Sequence, residues 1–315
     1  MLPLVLCVAA LAVSLLLLFV GAEKTLQGAV WISESLGVNK VIAGSVLVAS
    51  ITALPELMSS IVAVFWESSH LAFGNILGSN IYNVPLIVGL CGLVREFEIG
   101  NSLVGRECTF MVGLSAFLAL VLTVTGKATW WSGLIFLSMY LAFIYYSIRS
   151  HEVNNHYQND NTEKLSLAKA AIYMSLGGLT LLGGTLLLVR SALFIVEYSG
   201  IREFYVGLTI MTLGSILPEV TVSLFAALRG EHEISIGNVI GDNIITTTLV
   251  FGLVASLRPF DVSLHEVLAT VPFVILVTLM LLIMVRTRKR VTKLSSLIML
   301  LVAVLCFLLQ TIFLL

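Results

Sequence analysis

Two glutamates sit directly after prolines in otherwise apolar sequence, and they are the residues best placed to do chemistry. Glu56 closes the run Thr52-Ala53-Leu54-Pro55-Glu56, and Glu219 closes Ser215-Ile216-Leu217-Pro218-Glu219. An ionised carboxylate in a hydrocarbon-soluble segment is costly unless it faces a wet cavity or a partner, so each is a functional-site candidate. Proline removes a backbone donor and clashes with the carbonyl one turn back, so Pro55 and Pro218 loosen their helices and expose carbonyls near Thr52 and Ser215. Thr52 and Glu56 are spaced i,i+4 and share a helical face, as do Ser215 and Glu219. Further on, Ser79 with Asn83 and Asp242 with Thr246 repeat that spacing. Hydroxyl, carbonyl and carboxylate oxygens together suit a hard cation such as calcium or sodium. No histidine or cysteine falls within reach by spacing, which disfavours zinc, copper and nickel. The candidate metal-binding set is therefore Glu56, Glu219, Thr52, Ser215, Ser79, Asn83, Asp242 and Thr246; no catalytic residue and no bound cofactor is expected.

The two glutamates belong to two copies of one stretch. Gly74-Asn75-Ile76-Leu77-Gly78-Ser79-Asn80-Ile81-Tyr82-Asn83 follows the first, and Gly237-Asn238-Val239-Ile240-Gly241-Asp242-Asn243-Ile244-Ile245-Thr246 follows the second. Glu219 lies 163 residues after Glu56, and the same offset pairs Gly44 with Gly207, Ser60 with Ser223, Asn80 with Asn243 and Gly89 with Gly252. The duplication reaches the first helix of each half, where Gly21 pairs with Gly184 and Glu34 with Glu197. The glycines read as close-packing contacts, and Asn80 and Asn243, one residue off the ligand face, as hydrogen-bond glue between helices. The glutamates at the helix ends, Glu23, Glu34, Glu67, Glu197 and Glu231, read as interfacial.

These elements have to be held in a membrane. Hydrophobic side chains make up 58% of the 315 residues and charged ones only 11%, with a mean hydropathy of +1.05. A soluble domain carries about 25% charged residues. The net charge of −1 comes with no basic face beyond one short loop, which argues against a nucleic-acid partner. Cys7, Cys91, Cys108 and Cys306 have no paired spacing and read as small buried hydrophobes. The N-terminal run lacks the basic flank and cleavage pattern of a signal peptide and is expected to be retained.

Ten apolar runs are long enough to cross, at about 20 residues each. They fall near 2–21, 38–64, 71–93, 108–125 and 129–149, then 167–189, 203–228, 234–256, 264–285 and 295–315. The fold class predicted is an all-α integral membrane protein of ten transmembrane helices. A first five-helix half spans 1–150, a hydrophilic linker 151–166 and a second half 167–315. An odd number of crossings per half makes the two repeats inverted, a design typical of secondary transporters. Thirteen of the 17 Lys and Arg, including Lys24, Lys40, Arg106 and the cluster Arg286-Thr287-Arg288-Lys289-Arg290, fall on the side of the first inter-helix loop. Lys127, Arg190, Arg202 and Arg258 fall on the other. The first side, with the linker, is expected to be cytoplasmic and both termini extracellular, in a cell membrane.

The Leu-Pro-Glu runs followed by the Gly-Asn and Gly-Ser-Asn or Gly-Asp-Asn stretches, repeated in five-helix halves, resemble the calcium/cation antiporter superfamily, closest to its prokaryotic sodium/calcium exchangers. The resemblance covers essentially the whole chain. It implies four cation positions at the membrane centre and alternating access, with the first helix of each half sliding across the other eight. It implies Glu56 and Glu219 as central ligands, Thr52 and Ser215 as hydroxyl or carbonyl ligands beside them, and Ser79 and Asn83 as ligands on the next helix. Two departures stand out. The family has a second hydroxyl where this chain has Ala53 and Ile216, and an acid or Asn at the position of Thr246, whereas here the acid, Asp242, comes one turn earlier. Positions four apart share a face, so that carboxylate moves along the pore without leaving it.

The function expected is secondary antiport of calcium for sodium, with calcium and sodium ions and the bilayer as partners, protons under the alternative below, and no obligate protein partner. The alternative on the same fold is a divalent cation/proton exchanger, favoured by Ala53, Ile216 and the extra acid. More remote are an intramembrane acid-pair enzyme, for which Asp242 lacks a GxG context, and a channel, which usually gains its symmetry by oligomerising.

Overall fold

The computed structural model describes residues 2–36, 40–99, 102–149 and 167–314. The linker expected at 151–166 lies outside them. The described chain is mostly helical. Its helices are α1 (Leu2–Leu36), α2 (40–52), α3 (Leu54–Phe65), α4 (Ser69–Val94), α5 (Ser102–Thr125), α6 (Trp130–Arg149), α7 (Leu167–Ser199), α8 (203–215), α9 (Leu217–Leu228), α10 (His232–Leu257), α11 (Leu264–Arg288) and α12 (Lys293–Leu314). Among the described residues seven helices are long and apolar enough to cross a membrane, or eight if the bent pair Gly44–Thr52 and Leu54–Phe65, 45° apart, is one span. Outside that count are α1, whose apolar described stretch is Leu6–Gly21, and α6.

Burial sorts the helices. The apolar windows of α4 and α10 are each 83% buried, against 28% for α12 and 33% for α5. A helix apolar on every side belongs inside such an assembly, whereas the peripheral helices turn Leu, Ile and Phe outward. Helix α1 runs antiparallel to α7: Cys7 donates to Ser191 O, Gly184 meets Leu17 and Leu18, and Trp31 packs edge-on to Tyr173 at 5.2 Å.

Pro55 and Pro218 each sit near the start of a new helix, as a missing N–H allows. The breaks fall at Ala53, before Pro55, and at Ile216, before Pro218. The segments leading to them widen into π-helical turns at Ala43–Val48 and Gly207–Met211.

Contacts exchange under the 163-residue offset. Helix α2 crosses α10 and α8 crosses α4, backbone against backbone. A Cβ on Gly44 would stand 2.6 Å from Ile234 O, and one on Gly237 2.7 Å from Val41 O. At the equivalent crossing, side chains on Gly207 and Gly74 would strike Leu71 O and Phe204 O. Two short antiparallel ribbons tie the halves together: β1 (Phe97–Glu98) pairs with β4 (Arg290–Val291), and β2 (Lys127–Ala128) with β3 (Phe260–Asp261). The offset carries β1 to β3 and β2 to β4, so one ribbon maps onto the other.

Candidate cation site

The two breaks bring their glutamates to the centre of the bundle. Glu56 and Glu219 lie in the first turns of α3 and α9, and both are fully buried. Asp242, in the middle of α10, is buried with them. One oxygen from each of the three carboxylates falls within 4.8 Å of the other two, the single such cluster among the described residues. Two ionised carboxylates at that distance repel by about 3 kcal/mol at an effective dielectric of about 20. A fully ionised trio therefore calls for a cation.

The neighbouring oxygens are poor in donors. Ser79 Oγ donates to Glu56 Oε1 at 3.0 Å, while Glu56 Oε2 has no hydrogen-bond partner. Both oxygens of Glu219 are without a donor. Asn83 Nδ2 donates to Asp242 Oδ2, leaving Asn83 Oδ1 and Asp242 Oδ1 unpartnered. Thr246 Oγ1, at the start of the π-helical turn Thr246–Val250, is likewise buried and unpartnered. Buried polar atoms are nearly always paired, so a knot of acceptors without donors is a physical signature of a site made for a cation. The ligands offered are all oxygens, as calcium and sodium require.

Thr52 and Ser215 flank the trio and donate across the halves. Thr52 Oγ1 reaches Asn238 Oδ1 at 3.0 Å, and Ser215 Oγ reaches Asn75 Oδ1 at 3.1 Å. As donors, both hydroxyls keep their lone pairs free. Asn238 Nδ2 in turn donates to Ser223 at 3.0 Å, and Asn75 Nδ2 to Ser59 and Ser60 at 3.3 Å. Each asparagine thus clamps the approach to one break and the helix after the other. Asn80 and Asn243 stitch α4 to α10: Thr247 donates to Asn80 Oδ1 at 3.0 Å and Asn243 Nδ2 to Asn80 O at 3.4 Å.

All eight residues singled out from spacing are buried, and close approach or hydrogen bonds join seven of them, all but Thr246, into the trio and its clamps. Thr246 is placed one turn beyond Asp242, and Glu219 has only the other carboxylates as polar company. Sequence reading missed Glu107, a fourth buried acid, which accepts from Ser45 at 2.9 Å. Its place at the very edge of an apolar run, beside Arg106, resembles an interfacial position. The available signal was that Ser45 and Glu107 are not duplicated: Leu208 and Thr270 stand 163 residues on.

A multi-pass helical bundle with a buried, donor-poor oxygen cluster at paired helix breaks is, by class, a cation carrier. The chain belongs to the sodium/calcium exchanger protein family, whose sequence model matches residues 6–149 and 169–312. It is similar to the inner membrane protein YrbG of Escherichia coli (strain K12), 29% identical over 267 residues that make up 82% of each chain. It is also similar to the sodium/calcium exchanger MaX1 of Methanosarcina acetivorans, at 28% identity over 88% of this chain and 90% of that one. Among solved structures it resembles the sodium-calcium exchanger NCX_Mj, with a TM-score of 0.76 at 21% identity over 97% of this chain and 99% of that chain. At that identity the likeness speaks to the fold.

Proposed function

We propose that this protein exchanges calcium for sodium across a cell membrane by alternating access, with Glu56, Glu219 and Asp242 as the central acids and Thr52, Ser215, Ser79, Asn83 and Thr246 completing the oxygen set. The observation that carries this reading is the convergence of three buried carboxylates whose free oxygens lack donors. Empty and ionised, such a site resists closure; loaded with a divalent ion, or with several sodium ions, it is neutralised and can be occluded. Coupling follows because the carrier crosses between its two openings only when loaded.

The same reading makes α1 and α6 membrane spans, for ten crossings in two inverted halves, 1–150 and 167–315, joined by a linker at 151–166. The exchanged contacts under the 163-residue offset support this, since helices of one half pack against the breaks of the other. The distribution of Lys and Arg supports a cytoplasmic linker and extracellular termini. The long antiparallel pair α1 and α7 is the natural sliding element.

Asp242 supports a second reading on the same fold, in which protons replace sodium as the coupling ion. Calcium-45 uptake into proteoliposomes, with sodium and proton gradients imposed one at a time, decides between them. Uptake driven by neither gradient would overturn both.

A further inference from the structure

Beyond the central trio, the described residues bury one further carboxylate. Glu107, in the second turn of α5, is 5% exposed; Oε1 accepts from Ser45 Oγ and Oε2 has no partner. Its helix neighbours Val104 and Cys108 belong to an apolar cluster that includes Val41 of α2, Ile240 of α10 and Leu281 of α11. Ser45 lies in the π-helical turn of α2, and its backbone is what a side chain on Gly241 would strike. Gly241 immediately precedes Asp242. A continuous line of contacts thus runs from Glu107 through Ser45 and Gly241 to the central acids. It has no counterpart in the other half. There Leu208 replaces Ser45 and Thr270 replaces Glu107, and Thr270 Oγ1 turns to Glu266 O at 2.6 Å.

We propose that Glu107, supported by Ser45, is a proton-binding station between the central carboxylates and the side of the membrane marked by Lys40, Arg106 and Arg286, so that protons acting through Glu107 reach exchange from that side alone. The proposal rests on the exchange reading above. One carboxylate and one hydroxyl are too few oxygens for sodium or calcium, which need about six. A proton needs only one. The step conserves charge: a proton from the inner solution converts the Glu107 carboxylate to the acid, and its loss returns it to that solution or inward toward Asp242. Exposed Arg106 next to Glu107 marks the solvent end of the path. At this end of the packed helices the titratable and charged groups are Arg106 and Cys108 beside Glu107, Lys40 at the start of α2, His232 and Glu233 at the start of α10, and Arg286 and Arg288 at the end of α11, with Asp242 on the inward side and His265 and Glu266 at the far end of α11; Arg286 reaches Thr109 at 2.8 Å.

Infrared difference spectroscopy of the full chain in lipid, stepped in pH, reads the proton directly. A carboxylic-acid carbonyl band should titrate in the parent, vanish in Glu107→Gln and move in Ser45→Ala, which keeps the acid but removes its donor. Identical parent and Glu107→Gln spectra would overturn the proposal. In oriented proteoliposomes, calcium uptake should change roughly threefold or more as the inner pH crosses the band's midpoint, and Glu107→Gln should abolish that response while sparing any response to outer pH. An inner response that survives in Glu107→Gln would also overturn it. If Glu107→Gln inserts poorly, Glu107→Asp keeps an acid at the position and must retain the band. A protein that exchanges no ions under any gradient defeats the exchange reading, yet the infrared band still decides whether Glu107 binds a proton.

Discussion

The two breaks are built alike and furnished differently. Around both, glycines permit the same backbone crossings, an asparagine clamps the same pair of hydroxyls, and a two-residue ribbon ties the same loops. The difference lies next to the glutamates. Glu56 receives a hydrogen bond from Ser79, whereas the position equivalent to Ser79 in the second half is Asp242, and Glu219 receives none. Scaffold contacts are duplicated while charged contacts are not. A carrier that alternates between two openings needs the two to be close in free energy, which a repeated scaffold supplies. Directional differences in ion preference then have to come from the few unrepeated polar residues.

The largest effect expected is at the residues the halves share. Glu56→Gln and Glu219→Gln keep side-chain volume and remove a charge, so each should cut calcium flux to background while the protein still inserts and purifies. The comparison sharpens if the two differ in calcium binding. Gln at 56 can still bond Ser79, whereas Gln at 219 has no donor to meet and loses only the charge. Parental flux in either variant, measured with calcium-45, would break the assignment of the site.

Asp242→Asn tests the asymmetry itself. A proton on Asp242 would give Glu219 the donor that Ser79 gives Glu56, and with calcium bound two carboxylates suffice to balance its charge. The third carboxyl then gains or loses a proton as the ion load changes. Asp242→Asn should keep calcium binding but flatten the pH dependence of flux between mildly acidic and neutral pH. Superimposable profiles for variant and parent would make Asp242 a packing residue and remove the main support for proton coupling.

Much of this was legible in the sequence because duplication prints the same signal twice. Leu-Pro-Glu in apolar surroundings marks both breaks, since proline acts locally and intramembrane charge is expensive. The i,i+4 rule put Asp242 on one face with Thr246, and the repeat, which makes it the counterpart of Ser79, turned that face toward the glutamates' cavity. What stayed illegible depends on which helix meets which. That Thr52 bonds Asn238 and Ser215 bonds Asn75 follows from α2 crossing α10 and α8 crossing α4, and no spacing within one helix reveals it. Glu107 was hidden for the same reason, because only the approach of Ser45 makes its edge-of-membrane position interior.

A smaller effect is expected at the break residues, where resemblance to the family implies missing hydroxyls. Ala53 and Ile216 are buried at the two turns. Ala53→Ser adds one oxygen at little steric cost. Ile216→Ser also empties apolar volume, a loss of about 2–5 kcal/mol for Ile truncated toward Ala, so Ile216→Thr, which keeps the branched shape, is the control. Together the substitutions should raise sodium-driven relative to proton-driven calcium uptake several-fold. An unchanged ratio would mean that sodium is not bound beside these turns.

The smallest effect concerns backbone alone and asks how far the scaffold's equivalence extends. Two left-handed positions recur in both halves among the described residues. After the broken helices they are Glu67 (φ +67°) and Gly230 (φ +82°); in the ribbons they are Gly126 (φ +63°) and Lys289 (φ +47°). The offset pairs Glu67 with Gly230 and Gly126 with Lys289, so each half has glycine at one position and strain at the other. A left-handed non-glycine residue costs roughly 1–2 kcal/mol, and glycine returns roughly 0.5–1 kcal/mol of that through the entropy of the unfolded chain. Glu67→Gly also gives up the exposed ion pair with Arg258 at 3.3 Å, worth about 0–1 kcal/mol. Lys289→Gly loses no such pair among the described residues, and the hydrogen bond from Ile99 N to Lys289 O is made by the backbone and stays. Lys289→Gly should therefore raise the thermal midpoint slightly and leave exchange unchanged, with Glu67→Gly near neutral. If Lys289→Gly instead lowers the midpoint, its side chain makes a stabilising contact that the equivalent Gly126 lacks, and the two ribbons are not interchangeable.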